Sequence, residues 1–305
     1  VAVIGVGSLG THHARILAAL PEARLVAVVD RDLARARDIG GRHGVAFFAD
    51  YRQLDPGIEA VTVAVPTTEH PAVVSDCLTR GFAVLVEKPM AARVEEGEAM
   101  VAQAERSGRL LCVGHTERFN PAVRAVAARA RHPRFIEAHR LGVFTARSTD
   151  VDVVLDLMIH DLDVILSLVP APLETVDAVG VQALTDKVDI ANARLRFAGG
   201  CVANVTASRI STDRVRKLRI FEDDSYTSID YAEQSVVAYA LRRTGGRPEI
   251  VRDPIEVHPE EPLAVELRAF VRAVRGEAER CVTAREGLAA LRAARQVVDQ
   301  IARGR

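Results

Sequence analysis

The sequence predicts an α/β chain in two parts, a doubly wound parallel sheet followed by an α+β domain built on a large, mostly antiparallel sheet. Three observations carry this. At 305 residues the chain exceeds what a single hydrophobic core usually holds. Up to about residue 118, short and wholly apolar runs alternate with helical patterns, as parallel strands covered on both faces do. Past that point strand-like runs dominate, and several alternate apolar with polar residues. The expected domains are residues 1–118 and 119–305, with the closing helices as candidates to pack back on the first.

The first apolar run, 1–4, enters a glycine turn, Gly5-Val6-Gly7-Ser8-Leu9-Gly10, which opens a helix over 11–20 stopped by Pro21. A buried strand over 25–30, a helix over 32–43 and a short strand at 46–48 follow. Residues 60–65, ended by Pro66, make the fourth strand, a helix over 69–80 closes at Gly81, and 82–86 is the fifth strand. A helix over 95–106 ends at Ser107-Gly108 and leads to a sixth strand at 110–113. Right-handed crossovers and the glycine turn favour the strand order 3-2-1-4-5-6.

In the second part, Pro121 opens a helix over 121–131, a strand follows at 135–143, and 153–168 has helical composition up to Pro170. Strand-like runs occupy 176–184, 190–197, 201–210, 215–221, 226–231, 236–241 and 250–257. In one of them Ala191, Ala193, Leu195 and Phe197 share a face while Asn192, Arg194 and Arg196 share the other, and Gly199-Gly200 signals a hairpin. One face of this sheet packs on helices; the other meets solvent or a second subunit. Helices over 262–275 and 284–302 close the chain.

Composition narrows the partners. Nearly half the residues are apolar and the formal net charge is −1, so nothing draws the chain generally to nucleic acid or an anionic membrane. Small molecules and copies of itself are the expected partners, as a homodimer or homotetramer through the C-terminal sheet. No apolar run reaches the ~18 residues of a membrane span. Cys77, Cys112, Cys201 and Cys281 lie far apart with no CxxC pattern, which argues for a reducing compartment and against structural zinc, and so for a cytoplasmic location. The chain begins on a strand without an initiator Met, so a few residues are expected before Val1.

In an open α/β sheet, ligands sit outside the carboxyl ends of the strands. Gly5, Gly7 and Gly10, with Ser8 and Leu9 between, form the Rossmann fingerprint: a tight turn, close backbone approach to a pyrophosphate, and close helix packing. Asp30 stands where the ribose-binding acid belongs, and its charge favours NAD over NADP; Arg31 beside it weakens that preference or is an exposed arginine. Pro66, Thr67, Thr68 and His70 either touch the cofactor or cap and start a helix. Glu87 and Lys88 end the fifth strand before Pro89. Lys88 can donate to a substrate hydroxyl and stabilise developing negative oxygen; its alternative is a strand-end lysine paired with Glu87. Asp156, His160 and Asp163, four and three apart, would share one face of a helix that is otherwise apolar. That stripe reads as a histidine base held by a carboxylate, as a metal site, or as a buried ion pair, and spacing alone leaves the three open.

Taken together, the glycine fingerprint, Asp30, Pro66-Thr67-Thr68-x-His70, Val86-Glu87-Lys88-Pro89 and Asp156-x-x-x-His160 resemble the glucose-fructose oxidoreductase, inositol dehydrogenase and rhizopine-catabolism family (Gfo/Idh/MocA) over essentially the whole chain. The resemblance implies Lys88, Asp156 and His160 as the catalytic group, NAD as cofactor and no metal. Many sugar-oxidising members have glycines around and after the aspartate, where this chain has Val153-Val154-Leu155 and Leu157-Met158-Ile159. The stretches 113–121 and 156–161 look more like the nucleotide-sugar branch, the UDP-N-acetylglucosamine 3-dehydrogenases, which make a 3-keto sugar for later amination in lipid A and envelope synthesis. That likeness places Arg118 and Asn120 near substrate, or else Asn120 caps the helix that Pro121 starts. A basic run, Arg209, Arg214, Arg216, Lys217 and Arg219, is either the wet face of a strand or a diphosphate receiver, with Arg209 its best candidate. The implied activity is NAD-dependent oxidation of a secondary sugar hydroxyl, with a free sugar or inositol as the alternative substrate and a non-catalytic NAD sensor as the alternative class.

Overall fold

A computed structural model describes residues 1–144, 151–243, 247–278 and 280–304. The chain forms two compact units, Val1–Thr116 with Glu261–Leu291, and Glu117–Glu260 with Arg292–Arg305. The segment Glu261–Leu291 thus groups with the first unit. The reason is apolar burial. Helix α7 (Pro262–Val274) buries Leu263, Leu267, Phe270 and Val271 in one cluster with Val3, Leu17, Leu20 and Cys112. Among the described residues no helix is long and apolar enough to cross a membrane.

The first unit holds a parallel sheet of β1 (Ala2–Ile4), β2 (Ala27–Val29), β3 (Ala46–Phe48), β4 (Ala60–Val63), β5 (Ala83–Glu87) and β6 (Leu111–Gly114), in the order β3-β2-β1-β4-β5-β6. This is the expected doubly wound order. Helices α1 (Ser8–Ala19), α2 (Leu33–His43), α3 (His70–Thr79) and α4 (Val94–Ser107) connect the strands. Helix α1 starts inside the glycine turn, three residues earlier than the pattern predicts. Gly5 has φ +85°, and a Cβ there would stand 2.7 Å from the Ala64 carbonyl; a Cβ on Gly10 would stand 1.7 Å from the Gly5 oxygen. Helix α2 is capped by Asp32, whose side chain accepts from the Arg35 amide, and stops at Gly44 in the left-handed region.

Cys112 and Cys281, 169 residues apart, form a disulfide with Cα atoms 6.1 Å apart, which corrects the reading of four isolated thiols. Their meeting is tertiary: Cys112 bridges to Thr283 and the Val113 amide donates to the Val282 carbonyl, so the approach to the last helix runs beside β6.

The second unit carries α5 (Pro121–Ala127), β7 (Phe135–Leu141), a π-helical turn (Val154–Met158) continuing into α6 (Ile159–Leu168), and strands β8 (Leu173–Val181), β9 (Ile190–Phe197), β10 (Val202–Ser208), β11 (Val215–Phe221), β12 (Ser225–Asp230), β13 (Ser235–Arg242) and β14 (Glu249–Arg252). Their order is β14-β13-β12-β11-β7-β10-β9-β8; among the described strands β7 and β10 run parallel and all other neighbours antiparallel. Helix α8 (Ala284–Arg303) ends the chain. Helix α5 stops four residues short of expectation because the Arg131 and His132 amides turn to the Glu222 carboxylate. The β9 alternation holds, and the Gly199-Gly200 hairpin joins β9 to β10 with both glycines at positive φ. Helices α5 and α6 pack on one face of the sheet. The other face carries a cross-strand aromatic row, Phe135, Phe221, Tyr226 and Tyr239, with ring centroids 5.0 to 6.4 Å apart.

Between β8 and β9 the chain turns around the buried Asp189 carboxylate, which accepts from the amides of Ala183, Leu184 and Thr185 at 2.7 to 2.9 Å and from the Thr185 hydroxyl at 2.8 Å. Burial alone would raise its pKa, but these donors bring it from 3.8 down to about 2.

Two outcomes follow from this fold. Gly10→Ala forces a Cβ into a main-chain oxygen that cannot rotate away, so the variant should lose NADH affinity and several degrees of melting temperature; unchanged fluorescence titration and melting would contradict the packing described. Because the Asp189 pKa is depressed, its stabilisation is present above pH 3.8 and lost as pH falls through about 2. The gap in denaturation midpoint between wild type and Asp189→Asn should therefore narrow from pH 4 to pH 2, and a gap independent of pH would refute this role.

Candidate active site

The first unit supplies the carboxyl edge of its sheet. A Cβ on Gly7 would meet nothing within 4 Å, so the outer side of the glycine turn is open, and α1 has no side-chain cap over its first amides. These residues fit a dinucleotide phosphate: unpaired N–H groups at a helix N-terminus with room in front of them. Asp30 Oδ2 accepts from the Val6 amide at 3.0 Å and Oδ1 from the Asp32 amide at 2.9 Å, so the acid braces the turn as well as presenting a charge. Arg35 reaches Asp30 at 3.4 Å, a neighbour that the sequence reading missed, whereas Arg31 is 81 % exposed at its side chain and donates to Glu69. Thr67 and Thr68 open a short 3-10 turn and cap no helix; α3 starts at His70 without a side-chain cap.

His70 is buried, with one ring nitrogen 3.0 Å from the Val65 oxygen and the other 3.1 Å from the Pro89 oxygen. It ties the loop after β4 to the loop after β5. Burial lowers its pKa against the pull of these carbonyls, and a neutral ring can donate to one of them only. Lys88 is half-buried between Glu87 and a cis Lys88–Pro89 peptide. Glu87 is buried, with Oε1 3.0 Å from His13 Nε2 and Oε2 accepting from the Lys88 amide at 3.3 Å. His13 is the second residue the reading missed; its place on the buried face of α1 is the one signal the sequence offers.

In the second unit Asp156 sits within the π turn and His160 just after it, both partly exposed. Contrary to the predicted exposed stripe, Asp163, three residues after His160 in α6, lies buried against Arg118 at 2.8 Å. Asp161 is buried too, its two oxygens bound by Arg140 at 2.7 and 3.1 Å, and Arg140 also donates to Glu117 at 2.9 Å. The Arg140 guanidinium lies over the Tyr231 ring, 5.0 Å from its centroid. Burial would lower the Arg140 pKa, but Asp161 and Glu117 raise it, and burial above all pushes the Tyr231 phenol well up. The ion-pair reading thus fits Asp161 and Asp163, and it leaves Asp156 and His160 as the partly exposed pair. Among the described residues no three His, Cys, Asp or Glu side chains group as metal ligands would.

Three further residues expected at substrate, Arg118, Asn120 and Arg209, are engaged within this unit. Arg118 holds Asp163. Asn120 is buried; its oxygen accepts from the Ala122 amide and its nitrogen donates to Glu117 and to the Tyr231 carbonyl, which makes it the cap of α5. Arg209 is not the wet end of a strand. It is 6 % exposed, donates to the carbonyls of Val151 and Val188, and lies 3.6 Å from Asp189.

Comparison with known proteins agrees with these two halves. Residues 1–115 match the oxidoreductase family with an NAD-binding Rossmann fold, and residues 122–224 match the Gfo/Idh/MocA C-terminal domain. The UDP-N-acetylglucosamine 3-dehydrogenase of Acidithiobacillus ferrooxidans is 37 % identical over 275 residues, 89 % of this chain and 87 % of that protein. Its crystal structure superposes with a TM-score of 0.91 over 98 % of this chain and 96 % of that one, at 35 % identity. The scyllo-inositol 2-dehydrogenase (NAD(+)) of Bacillus subtilis is 29 % identical over 69 % of this chain and 67 % of its own. An inositol dehydrogenase homologue of Azotobacter vinelandii, solved with NADH and myo-inositol, shares the fold at 20 % identity, with a TM-score of 0.85 over 99 % and 95 % of the two chains. The chain belongs to the Gfo/Idh/MocA family of NAD-binding oxidoreductases.

Proposed function

We propose that this oxidoreductase removes hydride from carbon 3 of UDP-N-acetylglucosamine, giving the 3-keto sugar that an aminotransferase could then consume. One observation carries the catalytic part of this reading. Of the carboxylates between 156 and 163, Asp161 and Asp163 are buried against arginines, while Asp156 on the π turn and His160 just after it stay partly exposed, and such turns are frequent at functional sites. The substrate is taken from the relative that is 37 % identical over nearly the whole chain. A protein that only senses NAD needs neither this pair nor Lys88.

Gly5, Gly7, Ser8, Leu9 and Gly10 hold the dinucleotide phosphates, Asp30 its ribose, and the loop of Pro66 and Thr67 borders the same edge. Bound NAD+ supplies the hydride acceptor. The His160 imidazole takes the hydroxyl proton as the alcohol becomes a ketone, and Asp156 orients the ring and favours its protonated form. The Lys88 ammonium donates to the same oxygen and stabilises negative charge while it develops. Glu87, held by His13, fixes the strand end from which Lys88 extends. The inositol dehydrogenase relative favours a second reading, a free cyclitol or sugar on the same residues. A cytoplasmic location rests on the substrate and cofactor pools the reaction draws on, since the Cys112–Cys281 disulfide removes the cysteine argument. The aromatic row on the sheet face opposite α5 and α6 is our basis for a homodimer or homotetramer.

NADH formation from NAD+ should appear with UDP-N-acetylglucosamine and be far weaker with free N-acetylglucosamine or myo-inositol; the reverse ranking selects the second reading. Lys88→Met and His160→Ala should each cut kcat by about 10²- to 10⁴-fold with NADH affinity retained, and normal turnover in either variant would sink the assignment. Light scattering at micromolar concentration should give a dimer or larger, and a monomer would contradict the sheet-face contact.

A further inference from the structure

Helix α6 buries an unusual amount of charge for an apolar element. Leu162, Val164 and Ile165 are fully buried, and so are Asp161 and, within 1 %, Asp163. Burying a carboxylate costs more than an apolar residue of its size unless it is paired, and even a well-paired ion pair is often no more stabilising than apolar side chains. Stability is therefore a weak reason for these pairs. Their placement gives a better one.

After the π turn, Arg140 on β7 binds both oxygens of Asp161, the residue that follows His160, and Arg118 binds Asp163 two positions on. A two-point grip on each carboxylate fixes the rotation of α6 about its own axis. Before the π turn, the Val153 amide donates to the Val188 carbonyl, and the Val188 amide donates to Asp152 Oδ1, both at 3.0 Å. Arg209 donates to that same Val188 carbonyl and to Val151, beside the Asp189 carboxylate. Both ends of a five-residue distorted turn are thus pinned to the sheet side of the unit. A regular α-helix through 154–158 would change the phase between the two pinned ends and so break the hydrogen bonds at one of them.

We propose that Arg209, before the π turn, and Arg140, after it, are positioning residues that hold the turn in its π form and so set the relative orientation of Asp156 and His160. The proposal rests on the reading of those two residues as the proton-handling pair. It gives the buried arginines a role in catalysis without contact to substrate, and it accounts for Arg209 lying buried where a diphosphate ligand was expected.

The test uses full-length protein with NAD+ and UDP-N-acetylglucosamine. Arg209→Lys keeps a charge but lacks the planar guanidinium whose Nη2 reaches both carbonyls while Nε lies beside Asp189. Arg140→Met with Asp161→Leu replaces the buried pair by apolar side chains of similar size, while Glu117 keeps Asn120 as a partner. Each variant should show kcat lower by about 10- to 100-fold, NADH affinity within twofold of wild type, and faster amide exchange confined to 153–160. A variant that melts like wild type and keeps its kcat overturns the proposal, as does a kcat loss that only follows the folded fraction. If the double variant does not fold, Arg209→Lys alone decides. If wild-type protein oxidises no sugar, the functional reading fails by itself, and amide exchange at 153–160 still reports whether the arginines hold the turn: slow exchange retained in Arg209→Lys refutes the clamp.

Discussion

A parallel sheet covered on both faces leaves its side chains no water along the strand, so polar chemistry gathers where the strands end. Strands β1, β4, β5 and β6 are buried from end to end. Glu87 is the last residue of β5 and would be an unpaired buried carboxylate but for His13 and the Lys88 amide. His13 comes from α1, the helix that Gly10 lets lie against the turn after β1. One buried hydrogen bond therefore joins the helix that opens at the cofactor turn to the strand end bearing Lys88. The glycine turn and the proposed oxyanion donor are thereby braced against each other inside the same unit.

The second unit solves a different problem. Its sheet has one helix-covered face, and under α6 that face must accommodate carboxylates that the helix cannot turn to solvent. Arg118, Arg140 and Arg209 meet Asp163, Asp161 and Asp189 in turn. Such pairs cost desolvation and return it as fixed geometry. The fixed geometry here belongs to the π turn and the start of α6, where Asp156 and His160 are left partly exposed.

The sheet order of the first unit was legible because wholly apolar runs, proline stops and glycine turns act locally, and the hairpin at Gly199-Gly200 was legible for the same reason. The return of the chain to the first unit was legible only as a candidate, since α7 joins that core through a buried apolar stripe that carries no address in its sequence. The disulfide escaped likewise: 169 residues separate its cysteines. At the carboxyl edge of the sheet, the residues following strands were picked out from position alone; His70 was among them, but its two ring nitrogens face main-chain oxygens that no side-chain pattern encodes.

The misreading of the arginines has a more specific cause. A guanidinium that binds a diphosphate and one that neutralises a buried carboxylate need the same planar fork, so residue type cannot separate them. What separates them is which carboxylates the fold buries nearby. Asp163 lies inside and Arg118 meets it, while Asp189 is buried at the turn between β8 and β9 and draws Arg209. Val153, Val154, Met158 and Ile159, in and beside the π turn, are all fully buried, and they anchor the inner side of that turn in the core.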